Sequence, residues 1–195
     1  INKPDFEQML GWDPDRFFYL QHATARVHRE QVGDDVFNRY YMFSIVRNPF
    51  VRLLSVYFYM QEDHDRDFGD FAGFIAALPD LLERPRIQLG AHYLPQTAYT
   101  HLDGEAICDH VAHFERLPDS LDPVLDQLGI TAPLRNDNPY RSSDWSAQPV
   151  ESYYSERSLD TVLELYDGDF EQFGYSRDVR HSAPLASSPG SSVRS

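Results

Sequence analysis

The chain has 195 residues, 42% of them apolar and 14% aromatic, which excludes a disordered protein and suits one domain with a substantial core. Its formal net charge of −14 argues against DNA, RNA or an anionic membrane as the main partner, and makes a heavily sulfated polymer an awkward one. There is no run of eighteen apolar residues, so no transmembrane helix is expected. A single cysteine, Cys108, rules out an internal disulfide and fits a reducing, cytoplasmic location. Within Ala106-Ile-Cys-Asp-His it reads as a small buried hydrophobe rather than a nucleophile. The one lysine, Lys3, precedes Pro4-Asp5 with no glycine, so it cannot form a backbone cradle for phosphate. With Ile at position 1 and no leader pattern, the expectation is that the native N-terminus is missing.

A short amphipathic segment, Asp5 to Leu10, stops at Gly11, and Trp12, Phe17, Phe18 and Leu20 pack around a turn at Asp13-Pro14-Asp15. His22 stands just before a helix spanning about Thr24 to Gln31. A lone His there is a capping or packing residue or a general base, while His28 reads as surface. The chain pauses at Gly33 and restarts through Val36 and Phe37.

Tyr40 to Val46 is aromatic and β-branched without a breaker, as in a strand buried on both faces. Asn48 is a favoured N-cap and Pro49 a favoured first helical residue, so a helix begins there. From Phe50 to Met60 it is apolar almost all round, with Arg52 and Ser55 the clear polar exceptions on one face. A charged Arg47 at the carboxyl end of a strand, next to a helix start with N–H donors, can form an anion pocket. The bland reading is that Arg47 and Arg52 pair with carboxylates of an acidic protein.

Gln61 to Asp70 is a charged loop in which His64 joins carboxylates as a metal site or, more simply, sits in a solvated turn. Phe71, Phe74, Ile75 and Leu78 repeat at helical spacing until Pro79 ends the pattern. His92 to Thr97 reads as a surface loop, Asp103-Gly104 as a turn between short strands, and Ile107 to Phe114 as a return to the sheet. His110 and His113, three apart on a strand, face opposite sides and cannot readily share a metal ion; no metal site is predicted. Asp119 to Leu128 is a helix with Leu121, Val124, Leu125 and Leu128 inward and Gly129 as its stop. A long loop covers Thr131 to Val150. Ser155 then caps a helix carrying Leu159, Val162, Leu163 and Tyr166 inward. Residues 181–195, rich in Ser, Pro and Gly, read as a disordered tail after a single domain of 1–180.

Arg47-Asn48-Pro49-x-x-Arg52-x-x-Ser55-x-Tyr57 resembles the 3′-phosphate-binding motif of sulfotransferases that use 3′-phosphoadenylyl sulfate (PAPS), in the carbohydrate O-sulfotransferase-like, bacterial branch. Phe114-Glu115 and Tyr166-x-x-Asp169-Phe170-x-x-Phe173-Gly174-Tyr175 resemble later patterns of that family, although His113 stands where the family has Arg. The resemblance, over about residues 8 to 176, implies an α/β three-layer sandwich with a central parallel sheet. This is the P-loop nucleotide-kinase-like sulfotransferase fold, here N-terminally incomplete because the Pro-Lys-x-Gly-x-Thr-Ser loop is not found. It further implies that Arg47 and Ser55 bind the 3′-phosphate, that Arg52 braces the loop, and that His22 is the general base. Pro95-Gln96-Thr97 resembles a segment near the acceptor opening, and Asn136, Asn138 and Arg141 are loose counterparts of residues in a covering loop. The implied reaction moves a sulfuryl group to a hydroxyl on a sugar, lipid or small molecule. The alternatives are a truncated or degenerate homologue acting as a nucleotide-binding or interaction domain and, behind it, a small-molecule kinase, which needs the same absent loop.

Overall fold

The computed structural model describes residues 12–13, 18–19, 23–63, 68–83, 92–132 and 148–181. Lys3, His22, His64, Asn136, Asn138, Arg141 and the predicted tail beyond residue 181 lie outside the described residues. So does most of the predicted 131–150 loop.

The first described elements are two short antiparallel strands, β1 (Trp12–Asp13) and β2 (Phe18–Tyr19), on either side of the predicted Asp13-Pro14-Asp15 turn. Helices α1 (Ala25–Val32) and α2 (Asp34–Phe37) follow, broken at Gly33 as expected. Then comes the unit on which the fold turns. Strand β3 (Phe43–Val46) runs straight into helix α3 (Pro49–Asp63). The Asn48 side chain caps that helix, its Oδ1 accepting from the N–H of Phe50 at 2.9 Å and of Val51 at 3.4 Å. Phe50, Leu53, Leu54 and Met60 are fully buried, so α3 is the central helix that its composition predicts.

The strand itself differs from expectation. It begins at Phe43 rather than Tyr40, and it is not buried on both faces: Phe43 and Ile45 are 44% and 43% exposed, and Tyr40 is 67% exposed. Period-two alternation puts Phe43 and Ile45 on one face and Val46, wholly buried, on the face that meets α3. Composition alone identified a strand but not how many of its faces are covered.

Helix α4 (Phe71–Glu83) buries Phe71, Phe74, Ile75 and Leu78 as predicted, but it continues through Pro79 for another turn. Pro79 is exposed, and the loss of one N–H bond there is outweighed by Leu81 and Leu82, which pack against the core beyond it. A single turn, α5 (Thr97–Thr100), leads to the hairpin β4 (His101–Leu102) and β5 (Glu105–Ala106). Its two-residue turn has positive φ at both Asp103 (53°) and Gly104 (87°), the mirror-image turn that suits twisted strands.

Strand β6 (His110–His113) pairs parallel with β3, Phe43 opposite His110 and Val46 opposite His113. The described fold is therefore a mixed helix and strand arrangement built on a small parallel sheet. After a 3-10 turn, α6 (Asp122–Leu128) ends at Gly129 in the left-handed conformation. The Gly129 N–H bonds Asp126 O and the Ile130 N–H bonds Leu125 O, which closes the helix end. Leu128, expected inward, is 48% exposed. Of the four predicted inward residues, Leu121, Val124 and Leu125 belong to the small cluster around Ala112.

Helix α7 (Glu156–Leu165) starts where Ser155 Oγ accepts from the Ser158 N–H at 3.2 Å. Replacing Ser155 by Ala should cost about 1 kcal/mol, read as a lowered midpoint in a denaturant melt. Helix α8 (Asp167–Gln172) follows at once. The aromatic residues Tyr166, Phe170, Phe173 and Tyr175 bring this end of the chain onto the start of α3. There Phe50 packs against Phe170 with ring centroids 5.0 Å apart, and the Tyr154 hydroxyl donates to Phe50 O at 2.7 Å.

Candidate functional site

The junction from β3 to α3 brings several polar groups together at the carboxyl edge of the parallel pair. Arg47 is the first residue past β3. Its guanidinium lies over the Phe114 ring, 4.6 Å from the centroid, a cation–π contact at the end of β6. Burial pushes its pKa down, while Glu115 and then Tyr175 oppose that shift, and a guanidinium stays charged throughout.

Glu115 accepts at both oxygens. Its Oε1 takes the Asn48 N–H at 2.7 Å and its Oε2 takes the Tyr175 hydroxyl at 2.9 Å. Burial, and then Glu115 itself, raises the Tyr175 pKa, which keeps that hydroxyl a donor. A carboxylate therefore stands at the positive end of the α3 dipole.

This arrangement corrects one expectation. The start of α3 has no N–H groups to offer an external anion. Pro49 has none, Phe50 and Val51 donate to Asn48 Oδ1, and Arg52 N donates to Asn48 O. The strong cap that makes the helix start legible uses the same donors an anion would need. An anion at this junction would have to be met by side chains, such as the Arg47 guanidinium, and by groups further along the helix. Ser55 is one of these. It is partly exposed and lies on the same stripe as Asn48 and Arg52, at spacings of four and three.

Among the described residues Arg52 pairs with no carboxylate. Its two terminal nitrogens donate to Leu94 O at 2.8 Å and His92 O at 2.9 Å, so it braces the 92–97 segment. That segment is not the surface loop its sequence predicts. Tyr93 and Gln96 are buried, and the Tyr166 hydroxyl donates to Tyr93 O. Asp169, fully buried, accepts from the N–H groups of Gln96 (2.8 Å) and Thr97 (2.9 Å) and from Gln96 Nε2 (3.2 Å). Gln96 in turn bonds both main-chain groups of Arg47. Sequence reasoning missed these roles, although one signal was present: Asp169 falls on the apolar stripe Tyr166, Phe170, Phe173. A carboxylate at such a position must find donors inside.

The two histidines of β6 diverge, as expected. His110 Nε2 meets Ser120 O at 2.7 Å and His113 Nε2 meets Phe173 O at 2.9 Å. No cluster of potential metal ligands occurs among the described residues. Cys108 is buried, and burial, reinforced by Asp109, pushes its thiol up to about 11, so it is a packing residue. An open cavity of about 580 Å³ lies beside β6, lined by His113, Glu115, Arg116, Asp119 and Ser120 among others. Glu115 thus borders both the cavity and the Arg47 junction.

A parallel strand pair whose carboxyl edge leads through an Arg into a buried helix is the architecture of α/β ligand-binding domains. The chain belongs to the sulfotransferase family: that family's model, described as "Sulfotransferase family", matches residues 13–176. No curated protein and no solved structure matches the chain. Membership makes this an enzyme family whose reaction is sulfuryl transfer to an acceptor, and among the described residues no helix is long and apolar enough to cross a membrane.

Proposed function

We propose that this chain transfers a sulfuryl group from PAPS to a hydroxyl of a carbohydrate or small molecule, as a member of the carbohydrate O-sulfotransferase-like, bacterial branch. The observation that carries this reading is the family match, which spans the stretch from Arg47 to Ser55. The reading takes residues 1–180 as one domain of the three-layer, nucleotide-kinase-like fold. The lone buried cysteine is in keeping with a cytoplasmic setting.

Arg47 and Ser55 hold the 3′-phosphate. The donor set suits that group: a charged guanidinium over the Phe114 ring, and a hydroxyl on the polar stripe of a largely apolar helix. Arg52 acts at one remove, holding the 92–97 segment against α3. His22 takes the proton that the acceptor oxygen loses as it bonds to sulfur, while the nucleotide departs as adenosine 3′,5′-bisphosphate. Because such a transition state is loose, holding the two partners in line and neutralising charge supply most of the rate.

The test is transfer of labelled sulfuryl from PAPS onto a panel of sugar, lipid and phenol hydroxyls. Labelled acceptor appearing together with adenosine 3′,5′-bisphosphate supports the reading. No consumption of donor with any acceptor class contradicts it. Within the same reading, Arg47→Ala should weaken adenosine 3′,5′-bisphosphate by about 2 to 3 kcal/mol in a calorimetric titration, the cost of a charged hydrogen-bond pair. An unchanged affinity would remove Arg47 from the site.

A further inference from the structure

Arg47 stands where the sheet runs out. Pairing between β3 and β6 stops at Val46 opposite His113, yet the next residue still carries a main-chain N–H and C=O that need partners. One side chain from a segment 49 residues away supplies both. The Arg47 N–H donates to Gln96 Oε1 at 2.8 Å, and Gln96 Nε2 donates to Arg47 O at 2.9 Å. The carboxamide acts as a short piece of neighbouring strand. Its orientation is forced, since only the oxygen can face an N–H and only the nitrogen can face a carbonyl.

The carboxamide is itself held from behind. Asp169 Oδ2 accepts from Gln96 Nε2 at 3.2 Å and from the Gln96 main-chain N–H at 2.8 Å, and its Oδ1 accepts from the Thr97 N–H at 2.9 Å. Arg52 and Tyr166 fix the carbonyls just upstream. Gln96 is 7% exposed and its carboxamide is engaged by Arg47 and Asp169, so Gln96 does not itself face a ligand.

We propose that Gln96 is a positioning residue of the nucleotide site, clamping the Arg47 backbone so that the guanidinium is aimed at the 3′-phosphate. This rests on the reading that Arg47 binds that phosphate. A side chain as long as Arg amplifies any main-chain rotation, so losing the clamp misplaces the charge without removing it.

The test compares adenosine 3′,5′-bisphosphate with adenosine 5′-monophosphate, which lacks only the 3′-phosphate, by calorimetric titration. The wild-type chain binds the bisphosphate more tightly. Gln96→Leu narrows that preference about tenfold, the loss expected when a pair of backbone hydrogen bonds is left unmade, and leaves the monophosphate affinity in place. The isosteric Gln96→Glu keeps the acceptor for the Arg47 N–H but turns an oxygen toward Arg47 O and Asp169. Burial beside Asp169 favours the protonated carboxyl, which still donates, so the variant's preference stays near that of wild type at low pH and narrows, relative to wild type at the same pH, as rising pH ionises it. A preference equal to wild type in both variants overturns the proposal while leaving Arg47's own role intact. Equal weakening of both nucleotides assigns Gln96 a general structural role and also overturns it. A wild-type chain with no preference for the 3′-phosphate fails the Arg47 reading first, and the clamp with it.

Discussion

Asp169→Ala should lower the stability of the fold by about 4 kcal/mol, the largest loss expected from any single side chain at the junction. The carboxylate is fully buried and takes three N–H donors from Gln96 and Thr97. Removing it strands those donors in an interior where water does not replace it, and each unmade bond costs about 1 to 3 kcal/mol. Domains of this size hold only about 5 to 15 kcal/mol in all, so the melting temperature should fall by on the order of 10 °C. Asp169→Asn should fall between the variant and wild type, because one oxygen still accepts while the new NH2 group faces an N–H. Thermal melts of the three proteins decide the matter. A melting temperature for Asp169→Ala within a degree or two of wild type would mean that the donors find other partners.

On the proposed reading of His22 as general base, His22→Gln should reduce turnover by about 10² to 10⁴-fold with little change in nucleotide affinity. The substitution keeps a polar side chain of similar reach but none that can accept the acceptor's proton at neutral pH. The split between kcat and binding is the informative part. A packing or capping role for His22 would lower stability and leave turnover per folded molecule nearly unchanged. Initial rates with saturating PAPS, set beside a nucleotide titration, separate these outcomes.

Local chemistry made much of the fold legible in advance. Asn48-Pro49 marks the start of α3, Ser155 the start of α7, Gly129 the end of α6, and Asp103-Gly104 the hairpin turn, and each does so through a backbone need within a few residues. What was not legible depends on partners far along the chain. Whether Phe43 and Ile45 are covered depends on what lies over that face, and whether Pro79 ends a helix depends on what Leu81 and Leu82 find to pack on. The Gln96–Asp169 contact joins positions 73 residues apart, and no local pattern encodes its geometry.

The case of Asn48 is different, because the relevant fact was in the sequence. A side chain strong enough to cap a helix consumes the N–H groups that would make the same helix start an anion site. The two readings of Asn48-Pro49 compete, and the cap wins. On the proposed reading, anion binding at this junction rests on side-chain charge, Arg47 above all, rather than on the helix terminus.

Direct titration of the wild-type chain with adenosine 3′,5′-bisphosphate and with adenosine 5′-monophosphate bears most closely on that claim. Tighter binding of the bisphosphate, with the difference abolished by Arg47→Ala, is the predicted result. Equal affinity for the two nucleotides, or a preference that survives Arg47→Ala, would contradict it.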